Sequence, residues 1–257
     1  MGGGHGHSHV LFLHVNSGVH RLAPECKVVA TVLFVLAVVA TPRAAFWAFG
    51  LDAAALIAVV LVARVPLLGW GRRCLIEVPF LMFAVFLPFL GTAPTIEVGP
   101  LTLSEPGLWG AWNIAVKGTL GVAASALLTA TTTVPDLLRA LERLRVPRPL
   151  VAIATFMIRY GEVLSADLAR MRIARISRGD DPRWIWQVRA LARTAGALFV
   201  RAYERGERVY VAMLARGYGF GSDVPVLERA PGRSWATALT LPVAAGLVCA
   251  AAVVVAA

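Results

Sequence analysis

The chain alternates between long apolar runs and short polar segments over most of its length, and one long arginine-rich stretch interrupts this pattern in the second half. A helix that crosses a membrane needs about 20 mostly apolar residues. The pattern therefore predicts about five transmembrane helices, of which the first and the third are short. They lie at 26–41, 44–65, 75–90, 108–130 and 234–257.

Lysine and arginine are unevenly distributed around these runs. Arg21 and Lys27 lie at the start of the first run, three arginines surround the junction of the second and third, and 91–107 has neither residue type. Cytoplasmic segments of membrane proteins carry an excess of Lys and Arg. We therefore predict a cytoplasmic N-terminus and an extracytoplasmic C-terminus. Arg43, in the turn between the first two runs, is the one exception.

The composition agrees with a membrane protein. Hydrophobic residues make up 58% of the 257 residues, charged residues make up 16%, and the mean hydropathy is +0.71. Soluble domains have about 45–50% apolar and about 25% charged residues, so an ordinary soluble enzyme is excluded. The net charge is +10, but the basic residues lie between apolar runs, which argues against nucleic acid as a partner. The three cysteines form no CxxC pair and predict neither a disulfide framework nor a zinc site.

The arginine-rich stretch, 131–233, is predicted to be a cytoplasmic domain of about three helices. It holds 18 arginines, 10 acidic residues and no lysine. The planar guanidinium group matches carboxylates, which favours specific protein contacts; a GC-rich genome that prefers arginine codons is an equal alternative. The first helix starts at Thr133, the second spans 149–179 with an apolar first half, and the third spans 182–217. Apolar steps of three and four predict that the two long helices cross along their apolar faces.

Both long helices are predicted to end in an Arg-Gly pair. A glycine after the last helical turn can adopt the left-handed conformation, and an arginine there favours the negative end of the helix dipole. One such end alone indicates a well-capped helix. Two such ends on paired helices favour a pair of guanidinium groups presented to a partner surface. The residues are Ser177, Arg178 and Gly179 in one helix and Ala215, Arg216 and Gly217 in the other.

These ends resemble those of the T component of energy-coupling-factor (ECF) transporters, in which two cytoplasmic coupling helices end in Ala-Arg-Gly motifs. The second motif is intact here, and Ser177 replaces alanine in the first. The segment 16–22 leading to Lys27, and Ile158-Arg159-Tyr160, are also similar to the family. The resemblance covers nearly the whole chain, and the N-terminal arm is most similar to the cobalt/nickel branch, the CbiQ-like proteins.

The resemblance implies a non-catalytic subunit of an importer in the bacterial inner membrane. Two ABC-type ATPase subunits would bind the coupling helices, with Arg178 and Arg216 inserted into a groove on each ATPase. A separate substrate-binding (S) membrane subunit would capture Co²⁺ or Ni²⁺. This chain would bind no cofactor, because ATP and Mg²⁺ would be held by the ATPases. It contains no P-loop, HExxH or GxSxG motif.

Two further groups of residues are candidates for chemistry. The alternating tract His5, His7 and His9 could bind Co²⁺ or Ni²⁺ through its imidazoles, or it could be a disordered cytoplasmic tail. Asp52 and Lys117 lie inside predicted spans, where charges are costly and often functional. They could form an ion or proton path, or they could be structural, paired or extended to an interface.

The predicted fold class is an all-α polytopic membrane protein with four regions. Residues 1–25 form a cytoplasmic His-rich arm, 26–130 hold four transmembrane helices, 131–233 form the coupling helices and 234–257 form a C-terminal transmembrane helix. The predicted function is the energy-coupling subunit of a cobalt or nickel importer. The alternatives are a stand-alone secondary transporter, a membrane enzyme acting on lipids, and an ECF T component serving a vitamin.

Overall fold

The protein is almost entirely helical in a computed structural model that describes residues 17–90, 94–98, 101–179, 188–218 and 230–256. The prediction of an all-α polytopic membrane protein is confirmed. The helices in these ranges are α1 (Pro24–Ala40), α2 (Phe46–Val62), α3 (Leu67–Cys74), α4 (Val78–Leu90), α5 (Glu105–Thr131), α6 (Val134–Arg143), α7 (Arg148–Ile176), α8 (Val188–Ala215) and α9 (Gly232–Ala256).

Three described helices, α5, α7 and α9, are long and apolar enough to cross a membrane by length and composition. Two of them, α5 and α9, coincide with the fourth and fifth predicted spans. The helices α1 and α2 have 17 residues each, and α4 has 13 with Pro88 inside it. The number of five crossings stays a prediction. α7 meets the criterion although its residues lie in the stretch predicted to be cytoplasmic, and it does so through its apolar first half.

Two small elements occupy segments that the hydrophobic pattern left as loops. One is α3, and the 3-10 turn Leu75–Glu77 that follows it replaces the start of the third predicted span. The other is an antiparallel hairpin of β1 (Thr95–Val98) and β2 (Leu101–Ser104). β2 leads directly into α5, because the Ser104 hydroxyl accepts a hydrogen bond from the Gly107 N–H at 3.3 Å and caps the helix. Elements of four to eight residues are too short for a clear hydrophobic period.

The chain divides into two compact bodies. Among the described residues, the bundle comprises those within 17–145 and 230–256, and the long-helix pair comprises 146–179 and 188–218. The bundle therefore includes α6, which packs against α1, although α6 lies within the stretch 131–233. Its start agrees with the sequence, since the Thr133 hydroxyl accepts from the Asp136 N–H at 3.3 Å.

The core of the bundle lies where α1, α2 and α5 meet, with α9 against them. Phe34 of α1 and Leu56 of α2 are almost fully buried there. Ala123 and Ala124 of α5 are also buried, and their small side chains let the helices approach closely. Many large apolar side chains on the outside of the bundle are exposed. In a membrane protein such side chains face the lipid, so the outer apolar surface agrees with a polytopic protein.

Candidate functional site

The two long helices end in the conformation that the sequence predicts. Gly179 has φ +85° and Gly217 has φ +82°. The Gly217 N–H donates to the Leu214 carbonyl at 2.9 Å, and the Tyr218 N–H donates to the Met213 carbonyl at 3.0 Å. This pair of bonds is the Schellman motif. The prediction of left-handed glycines at both ends is confirmed.

Both ends leave their arginine open to a partner. Arg178 and Arg216 are exposed, and neither forms an ion pair with a carboxylate of the described residues. A β-carbon added to Gly179 or Gly217 would meet nothing within 4 Å. Each helix end therefore presents a free guanidinium group beside a backbone that nothing in the described chain covers.

A carboxylate holds the two long helices together where they touch. Asp167 of α7 accepts a hydrogen bond from Arg205 Nη1 of α8 at 3.1 Å. Arg170 of α7 contacts the other carboxylate oxygen. Nearer the end of α7, Arg175 Nη1 donates to the Thr194 hydroxyl of α8 at 3.4 Å. These bonds are charged and directional, and they connect the helices where they touch.

The order of these contacts shows that α7 and α8 run antiparallel where they touch. Moving forward from Asp167 to Arg175 on α7 corresponds to moving backward on α8, from Arg205 to Thr194. Arg178 lies 11 residues after Asp167 on α7, and Arg216 lies 11 residues after Arg205 on α8. At about 1.5 Å per residue this is about 16 Å along each helix. The two Arg-Gly ends therefore leave the contact in opposite directions. The expectation that both guanidinium groups face one partner surface is not supported, and the arrangement suits two docking surfaces better.

The described part of the segment that resembles the family before the first helix, 17–22, is anchored to the bundle by Lys27. Lys27 is only 8% exposed. Its Nζ donates to the carbonyl oxygens of Thr131 at 2.9 Å and of His20 at 3.1 Å. The Ser17 hydroxyl and His20 Nδ1 are 2.7 Å apart. Lys27 thus fixes the turn before α1 to the C-terminal end of α5.

A second polar contact joins α1 to α6. Arg143 Nη1 donates to both carboxylate oxygens of Glu25, at 3.0 and 2.9 Å. The Glu25 side chain is 4% exposed and that of Arg143 is 25% exposed. This buried pair closes the end of the bundle from which the chain continues to α7.

The remaining candidates do not converge on one site in the described residues. Lys117 Nζ donates to the Val39 carbonyl at 2.6 Å, which agrees with a structural role. Asp52 is 2% exposed, and its Oδ2 has no hydrogen-bond partner. No ion pair joins the two. His5, His7 and His9 lie outside the described residues, and the described part of the chain contains no group of three or more potential metal ligands.

Comparison with known proteins identifies the family. The family model CbiQ, described as cobalt transport protein, matches residues 16–225. The chain belongs to the CbiQ family of cobalt transport proteins. The energy-coupling factor transporter transmembrane protein EcfT of Thermosediminibacter oceani is 25% identical over 221 residues, which is 81% of this chain and 83% of the relative. The cobalt transport protein CbiQ of Rhodobacter capsulatus is 30% identical over 177 residues, or 67% of this chain and 68% of the relative.

Membership of the CbiQ family confirms the resemblance and the predicted role as an energy-coupling transmembrane component of a transporter. The roles of the six residues at the helix ends stay a prediction. Reasoning from the sequence missed two ion pairs, Asp167 with Arg205 between the long helices and Glu25 with Arg143 in the bundle. For Asp167 the available signal was an acidic residue on the helical face next to the apolar stripe, inside a segment dominated by arginine.

Proposed function

We propose that this CbiQ-family chain couples ATP hydrolysis by two ATPase subunits to cobalt uptake by a substrate-binding membrane subunit. The observation that supports this most is the pair of open Arg-Gly ends at opposite ends of the antiparallel contact. Each end would dock into an acidic groove on one ATPase, because guanidinium groups form directional and often bidentate contacts with carboxylates.

The long-helix pair suits the transmission of movement. The contact between Asp167 and Arg205 lies 11 residues before both terminal arginines. A displacement of either ATPase would therefore act on the contact through an arm of about 16 Å. The chain itself would supply no catalytic group, since ATP and Mg²⁺ would be held by the ATPases. The cobalt ion would be cargo of the assembly.

The proposed cargo follows from the family description and from the name of the Rhodobacter capsulatus relative. Nickel has similar ligand chemistry and is the next candidate. The EcfT relatives carry no substrate in their names, which supports a second proposal, an energy-coupling component that serves another substrate such as a vitamin. In either case we place the chain in the bacterial inner membrane, with a cytoplasmic N-terminus and an extracytoplasmic C-terminus.

The test is recovery of the ATPases with the affinity-tagged chain purified from cells that contain the whole transporter. The double variant Arg178→Glu and Arg216→Glu is expected to lose both ATPases, which are identified by peptide mass spectrometry and ATP hydrolysis in the eluate. Loss of one partner of a desolvated charge pair costs about 2–5 kcal/mol. Uptake of radioactive cobalt is expected to fall to background in the same cells.

A matched control makes the same charge changes elsewhere on the same helices. Arg172 of α7 and Arg201 of α8 are exposed, so Arg172→Glu with Arg201→Glu is expected to retain both ATPases. Normal ATPase recovery with the Arg178→Glu and Arg216→Glu variant would refute the proposed docking. Normal docking without cobalt uptake would favour the second proposal.

A further inference from the structure

A cavity of about 440 Å³ lies at one end of the bundle, where four helix ends meet. Its walls come from the first turns of α1 and α9, the last turns of α2 and α5, and the turn at 18–22. Most of the side chains that line it are apolar, including Val59, Val62 and Leu128. Ligand pockets of about 300–1,000 Å³ are typically apolar with a few placed polar groups. The size and the walls of this cavity fit that description.

One charged side chain, that of Lys27, lines this cavity. It is only 8% exposed, and Nζ donates to two backbone carbonyls. An ammonium group has three protons to donate, so one remains after these two bonds. No described carboxylate lies within 4 Å of it. The Asp136 carboxylate attracts it from a greater distance but is paired with Arg139. A buried charge without a counter-charge in contact is costly, which indicates an anionic ligand.

Three exposed arginines lie next to lining positions in the chain. Arg21 and Arg64 are one and two residues from lining residues, and Arg233 is four residues before another. None of the three forms an ion pair with a described carboxylate. Their nearness in the chain to lining residues indicates a cationic edge beside an apolar interior that holds one buried cation. This combination is complementary to an amphiphile with an anionic head group.

We propose that this cavity binds an anionic phospholipid. Its phosphate contacts the Lys27 ammonium group and the arginines at the edge, and an acyl chain fills the apolar part between α2, α5 and α9. Basic pockets between membrane helices bind anionic head groups, and lipid reaches such a site laterally from the bilayer. A bound lipid would reinforce the contact by which Lys27 joins the turn before α1 to the end of α5.

The test is lipid retention by the full-length chain in detergent, measured by native mass spectrometry after titration with phosphatidylglycerol or phosphatidylcholine. Phosphatidylglycerol is expected to bind one equivalent at concentrations where phosphatidylcholine does not. Ala58 lines the cavity on α2 and is exposed, so Ala58→Phe is expected to abolish this binding by filling the apolar part. Ala236→Phe is the matched control, because Ala236 is an exposed α9 residue outside the lining.

A second pair of variants tests the head group without altering the cavity. Arg64→Gln is expected to weaken phosphatidylglycerol binding roughly fivefold, as for one cation near an anionic lipid. Arg43→Gln, at the opposite ends of α1 and α2, is expected to leave it unchanged. Equal binding of the two lipids, or unchanged binding by Ala58→Phe, would overturn the proposal. Displacement of the lipid by an equal concentration of inorganic phosphate would also overturn it, because the site would then take a free anion.

Discussion

Helices in the two bodies end in the same backbone conformation with different residues. In the bundle, α2 and α6 are followed by arginines in the left-handed region, Arg64 at φ 54° and Arg145 at φ 64°. In the long-helix pair, α7 and α8 are followed by left-handed glycines, each directly after an arginine. The left-handed conformation is costly for a residue with a β-carbon and free for glycine. The bundle tolerates that cost, so ending a helix in this chain does not by itself require glycine.

The difference indicates what the glycines at 179 and 217 add. A β-carbon at either position would meet nothing in the described chain, so packing within the chain does not demand glycine there. A bare backbone beside an exposed arginine lets another surface approach closely. In the bundle, in contrast, Glu25 is bonded to Arg143, and Lys27 is bonded to two backbone carbonyls. We call the end of the bundle held by Glu25 and Arg143 closed, and the two Arg-Gly ends open. The closed end stabilises the fold, and the open ends are available for docking.

The largest effect is expected when the glycines that follow α7 and α8 are replaced by arginine, the residue type that follows α2 and α6 in the left-handed region. In the double variant Gly179→Arg and Gly217→Arg, both helices still end as α2 and α6 do, at a cost of about 1 kcal/mol each. The added side chains would block docking, and we expect complete loss of ATPase recovery in the affinity purification. Near-normal helical content by circular dichroism is the control. Undiminished ATPase recovery would show that the bare backbone is not needed.

The next largest effect is expected on the stability of the bundle when the buried pair of Glu25 and Arg143 is broken. Glu25→Gln removes the carboxylate from the buried pair and leaves Arg143 without its partner. Because Arg143 is partly exposed, we expect a loss of about 2 kcal/mol in the free energy of unfolding, measured in mixed micelles. Arg139→Gln breaks the more exposed pair with Asp136 and is expected to cost less than about 1 kcal/mol. Equal losses in the two variants would contradict the assignment of Glu25 to a closed end.

Local patterns predicted the parts of the structure that depend on neighbouring residues. The start of α6 follows from Thr133 and the residues directly after it, and the left-handed glycines follow from Arg-Gly pairs at the end of periodic apolar stretches. The spans that became α5 and α9 are long enough to be recognised from hydropathy alone.

Contacts between distant residues were not predictable in the same way. Glu25 and Arg143 are 118 positions apart, and Asp167 and Arg205 are 38 apart. With 18 arginines in one segment, nothing local selects the one that meets a given carboxylate. The antiparallel order of α7 and α8, and therefore the separation of the two Arg-Gly ends, depends on those contacts.

A smaller effect is expected at the contact between the long helices. Asp167→Asn weakens both charged hydrogen bonds that the carboxylate accepts and leaves the bond between Arg175 and Thr194 in place. We expect a broader distribution of distances between spin labels on Arg178→Cys and Arg216→Cys, measured by pulsed electron paramagnetic resonance in a chain whose three native cysteines are replaced by serine. Arg170→Gln removes only the partner within α7 and is expected to leave the distribution narrow. If both variants broaden it equally, the bond across the helices is not what fixes the two ends.

The smallest effect is expected when the arginine that follows α6 in the bundle is replaced by glycine, the residue type that follows α7 and α8. Arg145→Gly removes the cost of a left-handed β-carbon but adds backbone freedom to the unfolded chain, and each contribution is about 1 kcal/mol. The two oppose each other, so the free energy of unfolding should change by less than about 1 kcal/mol. ATPase recovery should not change, because Arg145 follows α6 in the bundle and is part of neither Arg-Gly end. A loss of recovery with unchanged stability would mean that the end of α6 also docks a partner, and the contrast between closed and open ends would then fail.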